Sequence, residues 1–378
     1  MAAVRSVLIV GGGAAGLCAA TLLNRHGVDA EIVEINTELR PLGSGLTMLG
    51  PTLRALKMVD EGALERCVRH GAGHHVLAFG NAHGEILERL TLPQPAGPDY
   101  PGGFGIMRPV FWGLLADIAK EAGARIRLAT TVAAIEQHDD GVEVALTDGT
   151  RRTWDLVIGA DGLHSRVREL AFPDAPEPFF TGQTVWRAVV PRPADLSSDM
   201  GMYYGPRNKA GANPVSADEM YVFVVENTPE LTRVPREDWP QMVRGLLTEY
   251  EGIIGWARER MTDPDRIDRR PLHAILVPPP WHRRRVLLIG DAAHSTTPHL
   301  AMGAGIAIED AVVLDEVLGR HDALEPALEE FMDRRYERCR LVVENSLQLG
   351  EWEKHPDDPA ADPAGLSGAS WGALAAPF

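Results

Sequence analysis

Residues 6–36 read SVLIVGGGAAGLCAATLLNRHGVDAEIVEIN, and this stretch decides the fold of the chain. The apolar run 7–10 predicts a buried strand, and the leucines of 14–25 keep helical spacing up to Gly27. Residues 30–33 predict a second strand that ends at Glu34. The glycine-rich turn between the first strand and the helix has the pattern GxGxxG. Together these features predict a βαβ unit that binds a dinucleotide.

The residue types in the turn are those that a pyrophosphate requires. The first glycine allows the tight turn, the second lets the backbone approach the phosphates, and the third lets helix and strand pack closely. We therefore expect the turn to bind the cofactor through Gly11, Gly13, Ala14, Ala15 and Gly16. Glu34 lies 21 residues after Gly13, where its carboxylate can accept hydrogen bonds from the adenosine ribose. Its charge would repel a 2′-phosphate, which favours FAD or NAD over NADP as the tightly held cofactor.

The composition limits the partners of the chain. Its 378 residues are 45% hydrophobic and 24% charged, which is typical of a soluble globular protein. The formal charge of −16 argues against nucleic acid or an anionic membrane as partner. No apolar run approaches the length that a spanning helix requires. Cys18, Cys67 and Cys339 have neither disulfide nor metal-ligand spacing, which is consistent with a reducing cytoplasm and no metal site.

The remaining chain does not continue with regular βα alternation. Periodicity predicts two short helices, a β-hairpin at 75–90, a third helix and a β-meander that ends with the strand 154–158. A block rich in Pro, Trp, Tyr and Met follows, with three predicted strands and two predicted helices. A long amphipathic helix is expected at 323–352, and the tail after it is expected to be irregular. The other predicted helices span 51–58, 61–69, 109–121, 236–247 and 251–261, and the other predicted strands span 125–128, 184–190, 200–204 and 221–225.

Two further motifs accompany the glycine-rich turn: DLVIGADGLHSRVR from Asp155 and VLLIGDAAHSTTPHLAMGAGIAIEDA from Val286. In this order and spacing the three motifs resemble the class A flavoprotein aromatic hydroxylases, the family of para-hydroxybenzoate and salicylate hydroxylases. The resemblance covers about residues 4–350. It implies an α/β fold: a Rossmann-like, GR2-type FAD-binding domain with an inserted antiparallel sheet for the substrate and a long C-terminal helix. The expected domains are 1–175 with 281–352 for FAD (including small β-segments at 75–105), 176–280 for the substrate, and an irregular tail at 353–378.

The resemblance also assigns cofactor roles to individual residues. Asp291 matches the aspartate that hydrogen-bonds the ribityl chain of FAD, and a carboxylate is a good acceptor for hydroxyls. Pro298, Gly303, Ala304 and Gly305 match the loop and helix N-terminus that line the isoalloxazine. Many members have Gln where this chain has Ala304, so the resemblance is weaker at that position. The other residues implied to contact FAD are Arg40, Gly45, Arg108, Val132 and Asp161. For Asp161 a purely structural role, at a strand end before a helix capped by Ser165, stays open.

The implied reaction is monooxygenation through a flavin C4a-hydroperoxide. NADH or NADPH reduces a tightly but non-covalently bound FAD, O2 reacts with it, and one oxygen atom passes to a small phenol-, salicylate- or hydroxypyridine-like ring. Substrate selection is expected at 180–225, and Tyr203, Tyr221 or His299 is expected to take the substrate's proton. His294 is expected to fix a loop, and Arg187 or Arg207 to hold a substrate carboxylate. The other candidates for the pocket are Trp186, Tyr204 and Met220, although a core role competes at each of the aromatic positions.

Three other functions compete with hydroxylation. A halogenase of the same fold typically has a WxWxIP stretch, which neither Trp186-Arg187-Ala188 nor Gly255-Trp256-Ala257 matches. An isoprenoid reductase would share the flavin motifs without oxygen chemistry. A flavin-binding carrier would bind FAD without turnover. We expect a cytoplasmic monomer or homodimer whose partner is a small aromatic substrate.

Overall fold

A computed structural model of the chain describes residues 4–39, 43–197 and 199–378. Its strands, numbered β1 to β19 in chain order, are Ser6–Val10, Asp29–Val33, Gly45–Leu49, Ala72–His74, Val76–Asn81, Ile86–Thr91, Gly103–Met107, Arg125–Arg127, Val132–Gln137, Val142–Leu146, Arg151–Trp154, Leu156–Gly159, Phe179–Pro191, Met200–Tyr204, Lys209–Pro214, Glu219–Asn227, Ile267–Ala274, His282–Arg283 and Val286–Leu288. Its α-helices, α1 to α11, are Ala14–Arg25, Gly50–Val59, Glu61–His70, Arg108–Glu121, Arg166–Ala171, Trp239–Leu246, Gly252–Arg258, Asp291–His294, Gly303–Arg320, Leu324–Lys354 and Pro363–Ala375. Short 3-10 turns lie at Arg236–Asp238, Pro264–Arg266 and Pro298–Leu300.

A six-stranded sheet forms the centre of the FAD-binding half, in the order β18-β19-β12-β1-β2-β8. The strands from β19 to β8 run parallel, and β1 pairs with β2 in the register Ser6↔Asp29 to Val10↔Val33. The predicted βαβ unit is therefore confirmed. The predicted strand 154–158 is wrong in its extent: β11 closes the meander at Trp154, and β12 then enters the parallel sheet beside β1. The carboxyl ends of β1, β12 and β19 thus lie side by side.

A seven-stranded sheet forms the other half, in the order β17-β13-β16-β15-β14-β5-β6. The predicted strands of the 176–280 block are present, and β15 and β17 are additional. β5 and β6 had been assigned to the FAD-binding half, but β5 pairs in parallel with β14 and so joins this sheet. One face of the sheet packs against α6 and α7 around the buried Trp186. The opposite face, called the front face below, is directed at the FAD-binding half, where Met202 and Phe79 pack on its core.

Helix α9 packs on α1, α10 and α2. The predicted long helix is confirmed as α10. The expectation of an irregular tail is wrong, because residues 363–375 form α11, which begins with Asp362 accepting a hydrogen bond from the N–H of Gly365 (2.9 Å). Its small residues give no clear apolar stripe, and its helical form depends on packing against α10 and α2. Among the described residues no helix has the length and hydropathy needed to cross a membrane.

Candidate active site

The glycines of the first turn divide between packing and open space. Gly11 has φ +108°, and a Cβ there would lie 2.3 Å from the carbonyl oxygen of Ala160. A Cβ on Gly16 would lie 2.1 Å from the carbonyl oxygen of Gly11, so both positions are closed by backbone. A Cβ on Gly13 would have the Ala160 oxygen, 3.9 Å away, as its nearest neighbour. The N-terminus of α1 therefore faces open space at Gly13, which suits a pyrophosphate.

Glu34 is fixed at the carboxyl end of β2. Its Oε2 accepts a hydrogen bond from the N–H of Gly12 (2.7 Å), and its Oε1 accepts from the N–H of Asn36 (2.9 Å). Ile35 and Leu128, beyond the ends of β2 and β8, have exposed side chains (67% and 36%) although they adjoin the buried sheet. This edge thus offers a positioned carboxylate beside bare apolar surface, which suits the ribose and base of an adenosine. The sequence analysis did not identify the two apolar residues.

The turn that leads into Asp291 brings three elements together. Gly290 has φ +59°, and a Cβ there would lie 3.1 Å from the Cβ of Ala15 on α1 and 3.4 Å from that of Ala307 on α9. Asp291 is surrounded by protein, yet its side chain stays solvent-accessible, so it lines an internal groove. Burial raises the pKa of its carboxyl, and the positive charges of His294 and Arg108 oppose that rise.

A buried ionic cluster holds this turn in place. Asp310 Oδ2 accepts hydrogen bonds from the N–H of Gly290 (2.8 Å) and from His294 Nε2 (2.6 Å), and its Oδ1 accepts from Arg335 Nε (2.8 Å). Arg335 also pairs with Glu309 (2.9 Å), and all of these side chains are at most 1% exposed. The prediction that His294 fixes a loop is confirmed. In the sequence, this cluster is indicated by the two adjacent acids Glu309 and Asp310 within the apolar run of α9.

The loop from Ser295 to Met302, called the flavin loop below, ends at the N-terminus of α9. Helix geometry leaves the first N–H groups of α9 without intrahelical partners, and Ile306 is the first residue to donate within the helix, to Met302 (2.9 Å). A Cβ on Gly303 would touch only Thr296 Cγ2, at 3.3 Å, whereas one on Gly305 would lie 2.4 Å from Thr52 Oγ1. The bare backbone at Gly305 is therefore required by the packing of α9 on α2. Ala304 lies beside Gly303 in the first turn, and Pro298 is exposed.

Arg108 begins α4 and borders the same groove. Its N–H donates to the carbonyl of Ser44 (3.1 Å), and its side chain packs along Gly43 and over the ring of Trp112. Its charge interacts with that of Asp291, and its assignment to the cofactor stays a prediction. Gly45 differs from expectation, because a Cβ there would lie 2.6 Å from the Cβ of Tyr221, so the glycine is required by packing of the two halves. The prediction for Arg40 falls outside the described residues.

Asp161 and Val132 occupy positions with clear structural roles. The Asp161 carboxylate accepts hydrogen bonds from the N–H groups of Arg166 (2.7 Å) and Val167 (3.0 Å) and from the hydroxyl of Ser165, so it fixes the start of α5. The Val132 side chain is 2% exposed and lies in the core. The assignment of both residues to the cofactor stays a prediction.

The front face of the large sheet supplies the opposite wall of the groove. Tyr221 is buried there, close to the positive charge of Arg187, whose guanidinium lies 3.9 Å from Asp268. Burial raises the pKa of Tyr221, opposed by the charge of Arg187, so the phenol is neutral near pH 7. Tyr204, half-exposed, also belongs to this face, as the alternation of β14 requires.

The same alternation corrects the prediction that Tyr203 lines the substrate pocket. Tyr203 points to the other face of the sheet and packs under α6 and α7 with Tyr250 and Ile254, away from the groove. Trp186 and Met220 share that face. Arg207 pairs with Glu249 on the surface (2.9 Å), so it does not reach the groove. Of the two arginines expected to hold a carboxylate, Arg187 is the one on the front face.

The prediction that His299 takes the substrate's proton is also corrected. The His299 side chain is completely buried, and its ring nitrogens are hydrogen-bonded to Thr297 Oγ1 (2.8 Å) and to Glu353 Oε2 (3.2 Å). Glu353 in turn pairs with Lys209 of the large sheet. Burial lowers the pKa of His299, whereas Lys209 and His299 overcome burial and lower that of Glu353 to about 2. His299 therefore links the flavin loop to α10 and the sheet.

These residues fit FAD as one extended ligand. The open N-terminus of α1 suits the pyrophosphate, the edge beside Glu34 suits the adenosine, and Asp291 lies between α1 and α9 where ribityl hydroxyls would pass. The second open helix N-terminus, at Gly303, suits the flavin ring, whose reduced form carries negative charge.

Comparison with known proteins agrees with this geometry. A family model described as FAD binding domain matches residues 5–348. The chain is 33% identical over 362 residues to 2-heptyl-3-hydroxy-4(1H)-quinolone synthase of Pseudomonas aeruginosa, covering 92% of this chain and 90% of that one. It is 28% identical to an FAD-dependent urate hydroxylase of Klebsiella oxytoca, covering 89% and 87%. The crystal structure of Klebsiella pneumoniae HpxO complexed with FAD and uric acid superposes with a TM-score of 0.83 at 24% identity, covering 98% and 92%.

Proposed function

Because this chain belongs to the FAD-binding domain family and is a flavin-dependent monooxygenase, we propose that it uses NAD(P)H and O2 to hydroxylate a small aromatic or heteroaromatic molecule. The observation that carries the proposal is the convergence of two open helix N-termini, at Gly13 and Gly303, on the accessible carboxylate of Asp291. FAD, once reduced, supplies the oxygen-activating chemistry. The chain supplies binding, orientation and the exclusion of water.

We assign the adenosine end of FAD to Glu34 and the α1 turn, and the ribityl chain to Asp291. The flavin ring belongs in this proposal at the N-terminus of α9, with Arg108 beside it. The helix dipole and Arg108 would both stabilise negative charge on the reduced ring. Buried Gly305 and Gly45 keep the walls of this space in place, since each is closed by a neighbouring side chain.

The substrate ring would lie against the front face, over Tyr221 and beside Tyr204. A neutral Tyr221 phenol beside Arg187 can hydrogen-bond a substrate oxygen and so orient the ring towards Gly303. Two half-buried apolar side chains, Met202 and Phe223, lie on the same face beside these polar groups. A wall that combines apolar side chains with a few polar groups supports an aromatic substrate.

Turnover with a substrate panel tests the proposal. The FAD-loaded protein is given NADH or NADPH, O2 and a set of phenols, hydroxybenzoates, hydroxypyridines, quinolones and purines. We expect at least one class to accelerate NAD(P)H oxidation and to yield a product with one added oxygen atom in excess over peroxide. If FAD binds but no class accelerates oxidation, the chain is a flavin-binding protein without this activity.

The buried free thiols are consistent with a cytoplasmic location, which we also propose.

A further inference from the structure

Helix α11 lies beyond the residues that the family model covers, and it contacts the flavin loop. The indole N–H of Trp371 donates a hydrogen bond to the carbonyl oxygen of Leu300 (3.2 Å). Leu300 is completely buried and ends the 3-10 turn of the loop. The same helix packs on α2, whose Thr52 abuts Gly305. α11 therefore touches two of the elements that border the N-terminus of α9.

The peptide that Trp371 holds precedes a strained residue. Ala301 has φ +55° and ψ 30°, a left-handed backbone conformation that residues other than glycine rarely adopt. Its N–H donates to the carbonyl of Pro298 (3.0 Å), and the Leu300 carbonyl on the other side of that peptide points at Trp371. Rotation of this peptide would relieve the strain at Ala301, and it would break both hydrogen bonds.

The position of α11 is itself fixed firmly. Its C-terminal carbonyls accept hydrogen bonds from two arginines of other helices: Arg54 binds that of Ala375 (2.6 Å), and Arg338 binds that of Leu374 (2.7 Å). Cations at a helix C-terminus satisfy the free carbonyls and interact favourably with the helix dipole. Asn345 donates to the hydroxyl of Ser370 (2.9 Å), next to Trp371. The indole is thus presented to the loop by a rigid support.

We propose that α11 is a clamp for the flavin loop and that Trp371 is a positioning residue, which holds the Leu300–Ala301 peptide in its strained orientation so that the N-terminus of α9 is ready for the cofactor. This inference rests on the proposed site for the flavin ring. It assigns no contact between Trp371 and FAD. Trp371 acts through the loop alone.

Three variants test the clamp. Trp371→Phe removes the indole donor and keeps an aromatic ring. Ser370→Ala is the matched control, because it weakens the attachment of α11 to α10 one residue away without touching the loop. Ala301→Gly, combined with Trp371→Phe, removes the strain that the clamp opposes. FAD dissociation constants are measured by titration of the apoprotein without substrate, and amide hydrogen exchange of the peptide spanning 298–303 is followed in the same apoproteins.

The clamp predicts a loss in one variant and its recovery in another. We expect Trp371→Phe to weaken FAD binding about fivefold, as one neutral hydrogen bond allows, and to speed exchange in the loop. Ser370→Ala should leave FAD binding within about twofold of wild type. The added Ala301→Gly should restore most of the affinity, because glycine adopts the left-handed conformation without strain.

Other outcomes would overturn the inference. Unchanged affinity in Trp371→Phe, an equal loss in Ser370→Ala, or no recovery with Ala301→Gly would each show that α11 merely stabilises the fold. Because no substrate is present, absence of hydroxylation would contradict the proposed function and leave this result standing. A wild-type protein that binds no FAD would contradict both.

Discussion

Replacing Gly13 and Gly16 by alanine, one at a time, separates the cofactor role of the first turn from its structural role. At Gly13 the backbone has φ −76° and ψ −177°, which any residue adopts, and the new Cβ meets nothing closer than 3.9 Å. Gly13→Ala should therefore leave the apoprotein as stable as wild type, or more stable by about 0.4–1 kcal/mol through the unfolded chain. At Gly16 the new Cβ would lie 2.1 Å from a backbone oxygen, and relieving that contact costs about 1–3 kcal/mol or more.

For FAD binding, Gly13→Ala should be the harmful substitution, although it leaves the apoprotein stable. The Cβ of Gly13→Ala would occupy the space where a pyrophosphate approaches the helix N-terminus. Losing one charge-assisted N–H to phosphate hydrogen bond, about 1.5–3 kcal/mol, weakens FAD binding roughly 10- to 150-fold. Gly16→Ala should lower the melting temperature by several degrees. Apoprotein melting curves and FAD fluorescence titrations give both quantities. If Gly13→Ala binds FAD within twofold of wild type, or unfolds as early as Gly16→Ala, the reasoning is refuted.

Four further outcomes follow from the same geometry. Asp291→Ala should weaken FAD binding at least about tenfold in the same titration while the apoprotein melts no earlier than wild type, since a carboxyl with a raised pKa adds no stability without a partner; earlier melting would contradict this. Tyr221→Phe should lower kcat/KM for the best substrate about tenfold or more with FAD affinity unchanged, whereas Tyr203→Phe, on the other face, should leave both unchanged; equal effects would remove Tyr221 from the site. Asp310→Asn should lower the free energy of unfolding by about 3–5 kcal/mol in urea titrations, because it leaves two buried cations short of a partner; a loss below about 1 kcal/mol would mean that the cluster is not needed for folding. Finally, burial disfavours the charged form of His294, but Cys339 and Asp310 raise its pKa well above the ordinary value. The stabilisation by charged His294 is therefore full below about pH 6.5 and is lost as the pH rises through the raised pKa. Between about pH 6 and pH 9 the urea midpoint should fall less in His294→Gln than in wild type, and parallel curves would exclude His294 as the titrating group.

Much of the cofactor half could be predicted because its signals are local. The strand–turn–helix of β1 and α1 follows from periodicity and three glycines, and α1 has the predicted limits Ala14–Arg25. The spacing of three motifs then indicated the family. Sequence patterns did not reveal why each of these positions requires glycine. Gly16, Gly45 and Gly305 are closed by neighbours that come from elsewhere in the chain, so their roles depend on tertiary contacts.

The substrate half was harder to predict, because strand alternation gives two faces without saying which one meets the cofactor. Tyr203 and Tyr204 are adjacent and equally suitable by residue type, and the packing of α6 and α7 alone decides that Tyr203 is covered. His299 lies in the expected loop, but Glu353 and Thr297 occupy its nitrogens. α11 lacks a clear apolar stripe, and its helix depends on Arg54, Arg338 and Asn345 of other helices.

Isotope labelling tests the central claim most directly. The FAD-loaded protein is supplied with NAD(P)H, its best aromatic substrate and ¹⁸O2, and the product is examined by mass spectrometry. A monooxygenase predicts one ¹⁸O atom in each product molecule and one NAD(P)H consumed for each product formed. Product that carries oxygen from water, or NAD(P)H oxidation that yields peroxide and unchanged substrate with every ring in the panel, would contradict the account.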